Sequence, residues 1–317
     1  MKAGAEDRTI LDVVDVRYSY GKNRAVDGIS FQVQAGEVFG LLGPNGAGKT
    51  TTLSMVAGLL QPESGQVLIF GQDVTGSSGR ARSRLGVVPQ DIALYDELTV
   101  GENLRFWGRV YGIGRGDLDA AVGASAHEVG LEDRLGERVS RLSGGLKRRL
   151  NLAIGLTHGP DLLLLDEPTV GIDPQARLRI LDVVRSQAEG GRAVLYTSHY
   201  LEEAEQICDR LAIIDHGKVL ALGTVGELRR MVGEGPVVRL RGEMTAEQML
   251  AVADSVEGIA LLGADDGAAS FSARDATACS GLVRELFQTS RGIEDLRVLE
   301  PTLQTLFLKL TGRELRD

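Results

Sequence analysis

Residues 43–50, with the sequence GPNGAGKT, constrain the fold of this chain more than any other segment. They match the pattern G-x-x-x-x-G-K-[ST], in which glycines allow the backbone to wrap around phosphate oxygens with its N–H groups pointing inward. An apolar run at residues 37–42 precedes the pattern, and residues 49–60 have helical spacing. The flanking runs favour a strand, a phosphate-binding loop and a helix over the alternative, a glycine turn with an incidental lysine.

Short β-rich runs alternate with helical runs on both sides of this loop, which is typical of a largely parallel sheet with crossover helices. The predicted strands are residues 13–18, 30–33, 37–42, 66–70, 162–165, 193–196 and 211–214. A helix is predicted at residues 175–188. Residues 215–218, DHGK, are predicted to form a hairpin turn before a strand at residues 219–222.

The pattern changes at about residue 97. Thr99 and Glu102 have the spacing of a capping box, and Leu104, Trp107 and Tyr111 follow at helical spacing. No convincing strand pattern appears before Leu162. We therefore expect a helical subdomain, at about residues 97–160, inserted into an α/β core that spans residues 8–228.

A second domain is expected at residues 235–312. Strands are predicted at residues 237–240, 259–262, 268–272 and 296–299, and helices at residues 245–256 and 276–290. This βαββαβ order predicts a small ferredoxin-like α+β domain, closed by a helix with Pro301 near its first turn. No residue pattern in it indicates catalysis.

The composition narrows the class of protein. A hydrophobic fraction of 43% fits a globular chain, and the net charge of −9 does not favour nucleic acid or anionic lipid as a partner. No apolar run approaches the roughly 18 residues of a membrane span, and the N-terminus lacks the apolar core of a signal peptide. The isolated Cys208 and Cys279 argue against a disulfide framework and a zinc site. These features predict a cytoplasmic protein.

Two acids, Asp166 and Glu167, end the apolar run at residues 162–165. A buried parallel strand would deliver Asp166 to the edge of the sheet that carries the phosphate loop, where its carboxylate can hold Mg²⁺. Glu167 would then act as general base on an attacking water. The alternative is a pair of acids at a solvent-exposed strand end.

His199 and Gln90 each follow a predicted strand, at residues 193–196 and 85–88. That position at a carboxyl end favours a role for His199 in the same site, although a lone histidine is more often structural. Gln90 has a polar side chain able to reach a metal or a water. For Gln90 the alternative of an ordinary loop residue is the stronger one on its own.

Residues 143–145, Ser-Gly-Gly, form a second candidate for anion binding. A helix capped by Ser143 presents free N–H groups at its start. Because the chain already has a complete phosphate loop, this helix start is predicted to serve a nucleotide held by another copy. Lys147, Arg148 and Arg149 are expected to tune the field or bind neighbouring acids, with one of them merely solvated.

Seven segments together resemble the nucleotide-binding subunit of an ATP-binding cassette (ABC) transporter over about residues 8–228. The resemblance implies an α/β core of the P-loop NTPase type, with a mixed sheet and an inserted helical subdomain. Residues 43–51 resemble its Walker A motif, 142–146 its signature and 162–167 its Walker B motif; Gln90 resembles its Q-loop glutamine, residues 171–173 its D-loop and His199 its switch histidine. The resemblance implies that ATP is bound by Tyr20, which would stack on adenine, and by Gly43, Pro44, Asn45, Gly46, Ala47, Gly48, Lys49, Thr50, Thr51, Ser143, Gly144 and Gly145.

The same resemblance implies roles and partners. Glu167, His199 and Gln90 would be catalytic, and Thr50, Gln90 and Asp166 would hold Mg²⁺. Two copies would close head-to-tail on two ATP molecules, and a separate integral-membrane permease would place the complex on the cytoplasmic face of the membrane. Two departures stand out: Leu146 replaces the usual glutamine of the signature, and the D-loop is Gly-Ile-Asp.

Within the family, the sequence looks similar to bacterial drug and antibiotic exporter ATPases of the daunorubicin-resistance type. Three segments resemble that type: residues 143–150 (SGGLKRRL), residues 89–104 (PQDIALYDELTVGENL) and the ending at residues 300–316. The alternative is a soluble ABC ATPase acting in translation or DNA maintenance. Such proteins usually carry two cassettes or a long coiled coil, whereas this chain has one cassette and no sustained heptads. Glu167 disfavours a third reading, a regulator that binds ATP without hydrolysing it.

Overall fold

The computed structural model describes residues 9–74, 79–232, 235–289 and 292–311. The chain divides into two units between Leu220 and Ala221. The predicted domain spans, 8–228 and 235–312, remain predictions about what folds as a unit.

The elements up to the end of the first unit begin with β1 (Thr9–Tyr20), β2 (Asn23–Gln34), β3 (Val38–Leu42), α1 (Lys49–Val56), β4 (Ser64–Ile69), β5 (Gln72–Asp73), α2 (Gly79–Arg82) and β6 (Leu85–Val88). They continue with α3 (Val100–Val110), α4 (Leu118–Glu128), α5 (Gly144–Leu156), β7 (Leu162–Asp166), α6 (Pro174–Glu189), β8 (Ala193–Ser198), α7 (Leu201–Ile207), β9 (Arg210–Asp215) and β10 (Lys218–Thr224).

A six-stranded sheet with the order β10-β9-β3-β8-β7-β6 carries the phosphate loop. Strands β9, β3, β8, β7 and β6 run parallel to one another. All residues of β3, β7 and β8 are buried, which explains why these strands appear in the sequence as continuous apolar runs. Because β8 lies between β3 and β7, the chain segments that follow these three strands meet at one edge of the sheet.

A second sheet was not anticipated by the expectation of one largely parallel sheet. Strands β1 and β2 are each 12 residues long, and they form an antiparallel sheet in the order β2-β1-β4-β5. Gly21, at φ +61°, lies in the two-residue turn that joins them. The predicted strands at 13–18 and 30–33 are therefore parts of one longer hairpin.

The helical insertion agrees with the sequence analysis. Thr99 caps α3 with both bonds of the capping box: its hydroxyl accepts from the N–H of Glu102 at 3.2 Å, and its N–H donates to the Glu102 carboxylate at 2.8 Å. No strand interrupts the fully described segment from Thr99 to Asp161. Helix α1 is shorter than predicted and ends at Val56, just before Gly58 at φ +70°.

The second unit contains α8 (Val225–Val232), β11 (Val237–Gly242), α9 (Ala246–Ser255), β12 (Ile259–Asp265), β13 (Ala268–Ala273), α10 (Ala276–Thr289), β14 (Ile293–Leu299) and α11 (Leu303–Thr311). Strands β11–β14 form an antiparallel sheet in the order β12-β13-β11-β14. The predicted βαββαβ order and the capping box of Thr245 and Gln248 are both present. Pro301 precedes α11 by two residues, outside its first turn. In the described ranges, no helix combines the length and apolarity needed to cross a membrane.

Candidate active site

The loop between β3 and α1 can be built only with glycine at two positions. A Cβ on Gly43 would lie 2.2 Å from the carbonyl oxygen of Ile214, and a Cβ on Gly48 would lie 2.5 Å from that of Ala25. Gly48 also has φ +105°, where a side chain is strained. Asn45 and Gly46 are exposed at the tip of the loop, whereas Ala47 is buried beneath it. The backbone is thus held against the sheet while the tip is open to a ligand.

Lys49 lies at the first position of α1 and is only 4% exposed. Its ammonium group donates to the carbonyl oxygens of Gly43 at 2.7 Å and Pro44 at 3.1 Å, and forms an ion pair with the Glu167 carboxylate at 3.0 Å. A lysine is almost never this buried without a partner. The loop and the end of β7 therefore converge on one cation.

Asp166 ends β7 and is buried, with a single oxygen shared by two hydroxyl groups. Thr197 on β8 donates to Asp166 Oδ1 at 2.7 Å, and Thr50 on α1 donates to the same oxygen at 3.3 Å. Thr197 was not singled out in the sequence. Its signal is its place two residues before His199 at the end of a predicted strand.

Glu167 follows β7 with its backbone in the left-handed region, at φ +46°. Its N–H donates to the Thr197 hydroxyl at 3.0 Å. One carboxylate oxygen faces Lys49, and the other lies 3.0 Å from Nδ1 of His199. Because a carboxylate only accepts, Nδ1 is the protonated nitrogen of the ring in this contact. Lys49, Glu167 and His199 thus form a continuous buried line of charge and hydrogen bonds.

Among the described residues, no hydrogen bond or ion pair joins the side chains of Gln90 and Tyr20 to this line. Both side chains are exposed, Tyr20 at 54%, and the backbone carbonyl of Gln90 accepts from the Arg148 guanidinium. Ser143 begins α5, with its hydroxyl 3.4 Å from the N–H of Leu146. Among the described residues, no hydrogen bond or ion pair joins Ser143 to Lys49 or Glu167.

The three basic residues after the signature, at positions 147–149, have different partners from those predicted. Among the described residues, Lys147 is the one of the three that pairs with an acid, Asp96, at 2.8 Å. Arg148 donates to backbone carbonyls of Gln90 and Val170, and Arg149 donates to those of Val129 and Gly130. None of the three is merely solvated, because each side chain bonds to a neighbouring segment of the chain.

A buried acid next to His199 was also missed. Glu203 on α7 is 3% exposed, and its Oε2 accepts from the hydroxyls of Thr169 at 2.8 Å, Tyr196 at 2.7 Å and Ser198 at 3.1 Å. Burial and the neighbouring Glu203 carboxylate raise the pKa of Tyr196 well above its usual value. Helical spacing was the available signal, since it places Glu203 beside the buried Ala204 and Ile207.

Comparison with known proteins identifies the family. The sequence profile of the family described as ABC transporter matches residues 26–170. The chain is 41% identical over 311 residues to the linearmycin resistance ATP-binding protein of Bacillus subtilis (strain 168), an alignment that covers 97% of this chain and 100% of that protein. The chain belongs to the ABC transporter ATP-binding proteins.

Further relatives agree with this assignment. The daunorubicin/doxorubicin resistance ATP-binding protein of Streptomyces peucetius is 39% identical, with 94% of this chain and 91% of that protein covered. A solved ATP-binding subunit of an ABC transporter superposes with a TM-score of 0.64 at 32% identity, over 70% of this chain and 93% of that one. The ABC protein described here thus binds ATP and couples its hydrolysis to export, and the alternative of a role in translation or DNA maintenance is not supported.

Proposed function

We propose that the buried line Lys49–Glu167–His199 is the hydrolytic centre of this ABC ATPase. The loop at residues 43–51 would hold the ATP phosphates on its N–H groups, and Tyr20 would stack on the adenine. The observation that carries the proposal is the position of Glu167, whose two carboxylate oxygens contact Lys49 and His199 at 3.0 Å each.

Binding of ATP would exchange the partners of Lys49. The ammonium group of Lys49 is held by two loop carbonyls and Glu167. The terminal phosphates carry more negative charge than one carboxylate, so they would displace Glu167 from Lys49. The released carboxylate can then accept a proton from water, while His199 keeps hold of its other oxygen.

The hydrolytic step balances with these groups. The water oxygen forms a bond to the γ-phosphorus, the bond from that phosphorus to the β,γ-bridging oxygen breaks, and ADP leaves. Glu167 takes the proton of the attacking water. Lys49 and the N–H groups of the loop stabilise the charge on the phosphate oxygens as it moves toward ADP.

The donor set at the end of β7 fits Mg²⁺. Asp166 and Thr50 present hard oxygen ligands that already share one contact, and Gln90 would offer a further amide oxygen. Within the described residues there is no cluster of three His, Cys, Asp or Glu side chains that could hold a metal by itself. Mg²⁺ typically binds through one or two carboxylates together with substrate phosphates, where it neutralises phosphate charge.

We further propose that Ser143, Gly144 and Gly145 bind the ATP held by a second copy. Ser143 and Gly144 are exposed at the start of α5, where the N–H groups of a helix attract anions. Head-to-tail pairing of two chains would place each helix start over the other chain's γ-phosphate. ATP would then favour the closed pair, and hydrolysis would release it.

An export function requires a partner in the membrane. We propose that an integral-membrane permease binds the helical insertion, which would place the pair on the cytoplasmic face of the membrane. The printed names of the relatives describe resistance to linearmycin and to daunorubicin or doxorubicin, so we propose a drug, an antibiotic or another hydrophobic molecule as cargo. The net charge of −9 fits a protein that does not bind nucleic acid.

Mixed variants test the shared site. Lys49→Ala removes the phosphate cation, and Ser143→Arg blocks the helix start, so each variant alone is expected to lose ATP hydrolysis. A mixed pair assembles one site from the intact Lys49 of one chain and the intact Ser143 of the other. We expect an equimolar mixture to recover about a quarter of the wild-type phosphate release, because random pairing makes about half of the pairs mixed and each has one working site of two. A mixture no more active than its parts would contradict the cross-subunit site.

A further inference from the structure

Helix α5, which begins at the signature residues, holds the segment after β6 through two side chains. Arg148 and Asn151 are three residues apart and so share a face of the helix. The Arg148 Nη1 group donates to the carbonyl oxygen of Gln90. The Asn151 amide donates to the carbonyl of Pro89 at 3.3 Å and accepts from the N–H of Ala93 at 3.3 Å. Gln90 is thus flanked by backbone groups fastened to α5.

The same guanidinium also reaches a third segment. Arg148 Nη2 donates to the carbonyl of Val170 at 3.1 Å, and Val170 directly precedes residues 171–173, the Gly-Ile-Asp loop. Gly145 packs against the start of α6, since a Cβ added there would lie 2.6 Å from Ala176 Cβ and 3.6 Å from the Asp173 carboxylate. One side chain therefore joins three segments that face nucleotide in the proposed closed pair.

The surroundings of Arg148 are unusual for a stabilising residue. The side chain is buried, and burial lowers its pKa, an effect that the charge of Asp91 opposes. Its hydrogen-bond partners in the described chain are carbonyl oxygens, and its Nε is buried without an acceptor. Arginine stays protonated under such conditions, so a cation is kept in the interior on neutral acceptors. Such an arrangement costs free energy of folding, which indicates that the contacts serve function.

We propose that Arg148 is a positioning residue that couples the two ATP sites of the head-to-tail pair. It makes Gln90, Ser143 and the loop at residues 171–173 respond as one body. A phosphate that engages Gln90 in one chain then shifts the helix start that the same chain offers to its partner's ATP. The inference rests on the proposed head-to-tail function and adds the group through which one site senses the other.

Coupling of this kind has a thermodynamic signature. If ATP in one site favours ATP in the other, the effect is reciprocal and closure depends on ATP concentration sigmoidally. Loss of the coupling residue should leave nucleotide binding by the loop at residues 43–51 intact, because no hydrogen bond or ion pair among the described residues joins Arg148 to that loop. Removal of Arg148 should therefore raise the ATP concentration needed for closure while leaving the affinity of a single site for ATP unchanged.

The chain offers a matched control in Arg149. It is the next residue of α5, it is half-buried, and burial lowers its pKa as well. Its Nη1 donates to the carbonyls of Val129 at 3.1 Å and Gly130 at 3.5 Å, which follow α4. Arg149→Met removes the same kind of contact as Arg148→Met without breaking a hydrogen bond to the segment of Gln90 or to Val170.

The experiment uses the full chain with Glu167→Gln, so that ATP is not consumed. Single-site affinity is measured on dilute protein with a fluorescent ATP analogue, and closure is measured as the ATP concentration for half-maximal dimer formation. We expect Arg148→Met to raise that concentration about tenfold and to make the curve hyperbolic, a typical size for coupling between sites. Single-site affinity should stay within about twofold of the parent. Arg149→Met should leave both measurements unchanged, whatever it does to thermal stability.

Three outcomes overturn the inference. Equal shifts for Arg148→Met and Arg149→Met would show that only the stability of α5 matters. Dimer formation by Arg148→Met at the parent's ATP concentration would show that no coupling was lost. If Arg148→Met fails to fold, Arg148→Lys takes its place, because lysine keeps a cation that reaches one carbonyl. The inference is then overturned unless Arg148→Lys raises the ATP concentration for half-maximal dimer formation at least about threefold. A parent that binds ATP and never dimerises would instead overturn the head-to-tail proposal itself.

Discussion

The backbone of Glu167 shows how one residue is shaped by the site around it. A non-glycine residue at φ +46° costs about 1–3 kcal/mol and persists only where its surroundings hold it. Here the Thr197 hydroxyl accepts the Glu167 N–H, while Lys49 and His199 hold the two carboxylate oxygens. The strained turn aims the carboxylate away from the direction of β7 and toward the loop.

Replacement of Glu167 by glutamine separates binding from hydrolysis. Glutamine keeps the size and an oxygen for hydrogen bonding but cannot take a proton, so phosphate release should fall at least about 100-fold. Nucleotide affinity should change little, because the loop and Lys49 remain. Glu202→Gln, an exposed change on α7, is the control and should retain full turnover. Steady hydrolysis by the Glu167 variant would contradict its assignment as the base.

At the scale of elements, Glu203 ties α7 to the ends of β7 and β8. It accepts three hydroxyl groups and forms an ion pair with Arg177 of α6 at 3.2 Å. Arg177 in turn lies over the ring of Tyr200, at 4.7 Å. Since Tyr200 follows His199 directly, this polar cluster supports the backbone that carries the histidine.

Loss of the buried Glu203 carboxylate should be costly. Glu203→Ala leaves three buried hydroxyls and one guanidinium without their acceptor, so we expect a loss of about 3 kcal/mol in the free energy of unfolding. Trp107 is the single tryptophan of the chain and lies in the first unit, so its fluorescence in urea reports on the relevant transition. Glu202→Ala on the exposed side of α7 should cost less than about 0.5 kcal/mol. Similar losses for the two variants would rule out a structural role for the cluster.

At the scale of the whole molecule, the described residues include two hydrophobic cores that share no member. The second core is centred on residues such as Phe271 and Leu282, which are fully buried between the β11–β14 sheet and helices α9 and α10. None of its members belongs to the core that packs under β3 and α1. We therefore propose that residues 8–228 and 235–312 unfold as distinct units.

A substitution that creates a cavity in the second core tests this proposal. Phe271→Ala should destabilise the second unit by about 3–5 kcal/mol, the usual cost of removing a fully buried phenylalanine ring. The Trp107 transition should not move, and ATP should raise its midpoint in the variant as much as in the wild type. Phe287→Ala, at a residue that is 62% exposed in the same unit, is the control. A shift of the Trp107 midpoint equal to that of the second unit would contradict separate unfolding.

Features that depend on neighbouring residues could be read from the sequence. The phosphate loop, the capping boxes at Thr99 and Thr245 and the turn at His216-Gly217 are each determined by what a few adjacent backbone groups need. The same is true of the strand that ends in Asp166. The extra antiparallel sheet was missed, because β1 pairs with β4, a segment about 50 residues away. Neither segment contains a residue pattern that identifies the other as its partner.

Amino-acid sequence alone therefore determined the glycine-rich loop, the two acids Asp166 and Glu167, and the order of motifs along the chain. Tertiary structure decided which groups share the site: Thr197 reaches Asp166 and Glu167 only because β8 lies between β3 and β7. It also gave three basic residues of one short segment three different partners, since each position on α5 faces a different neighbour. Local rules specify backbone conformation, whereas strand order and helix packing are settled by burying the whole set of apolar faces at once.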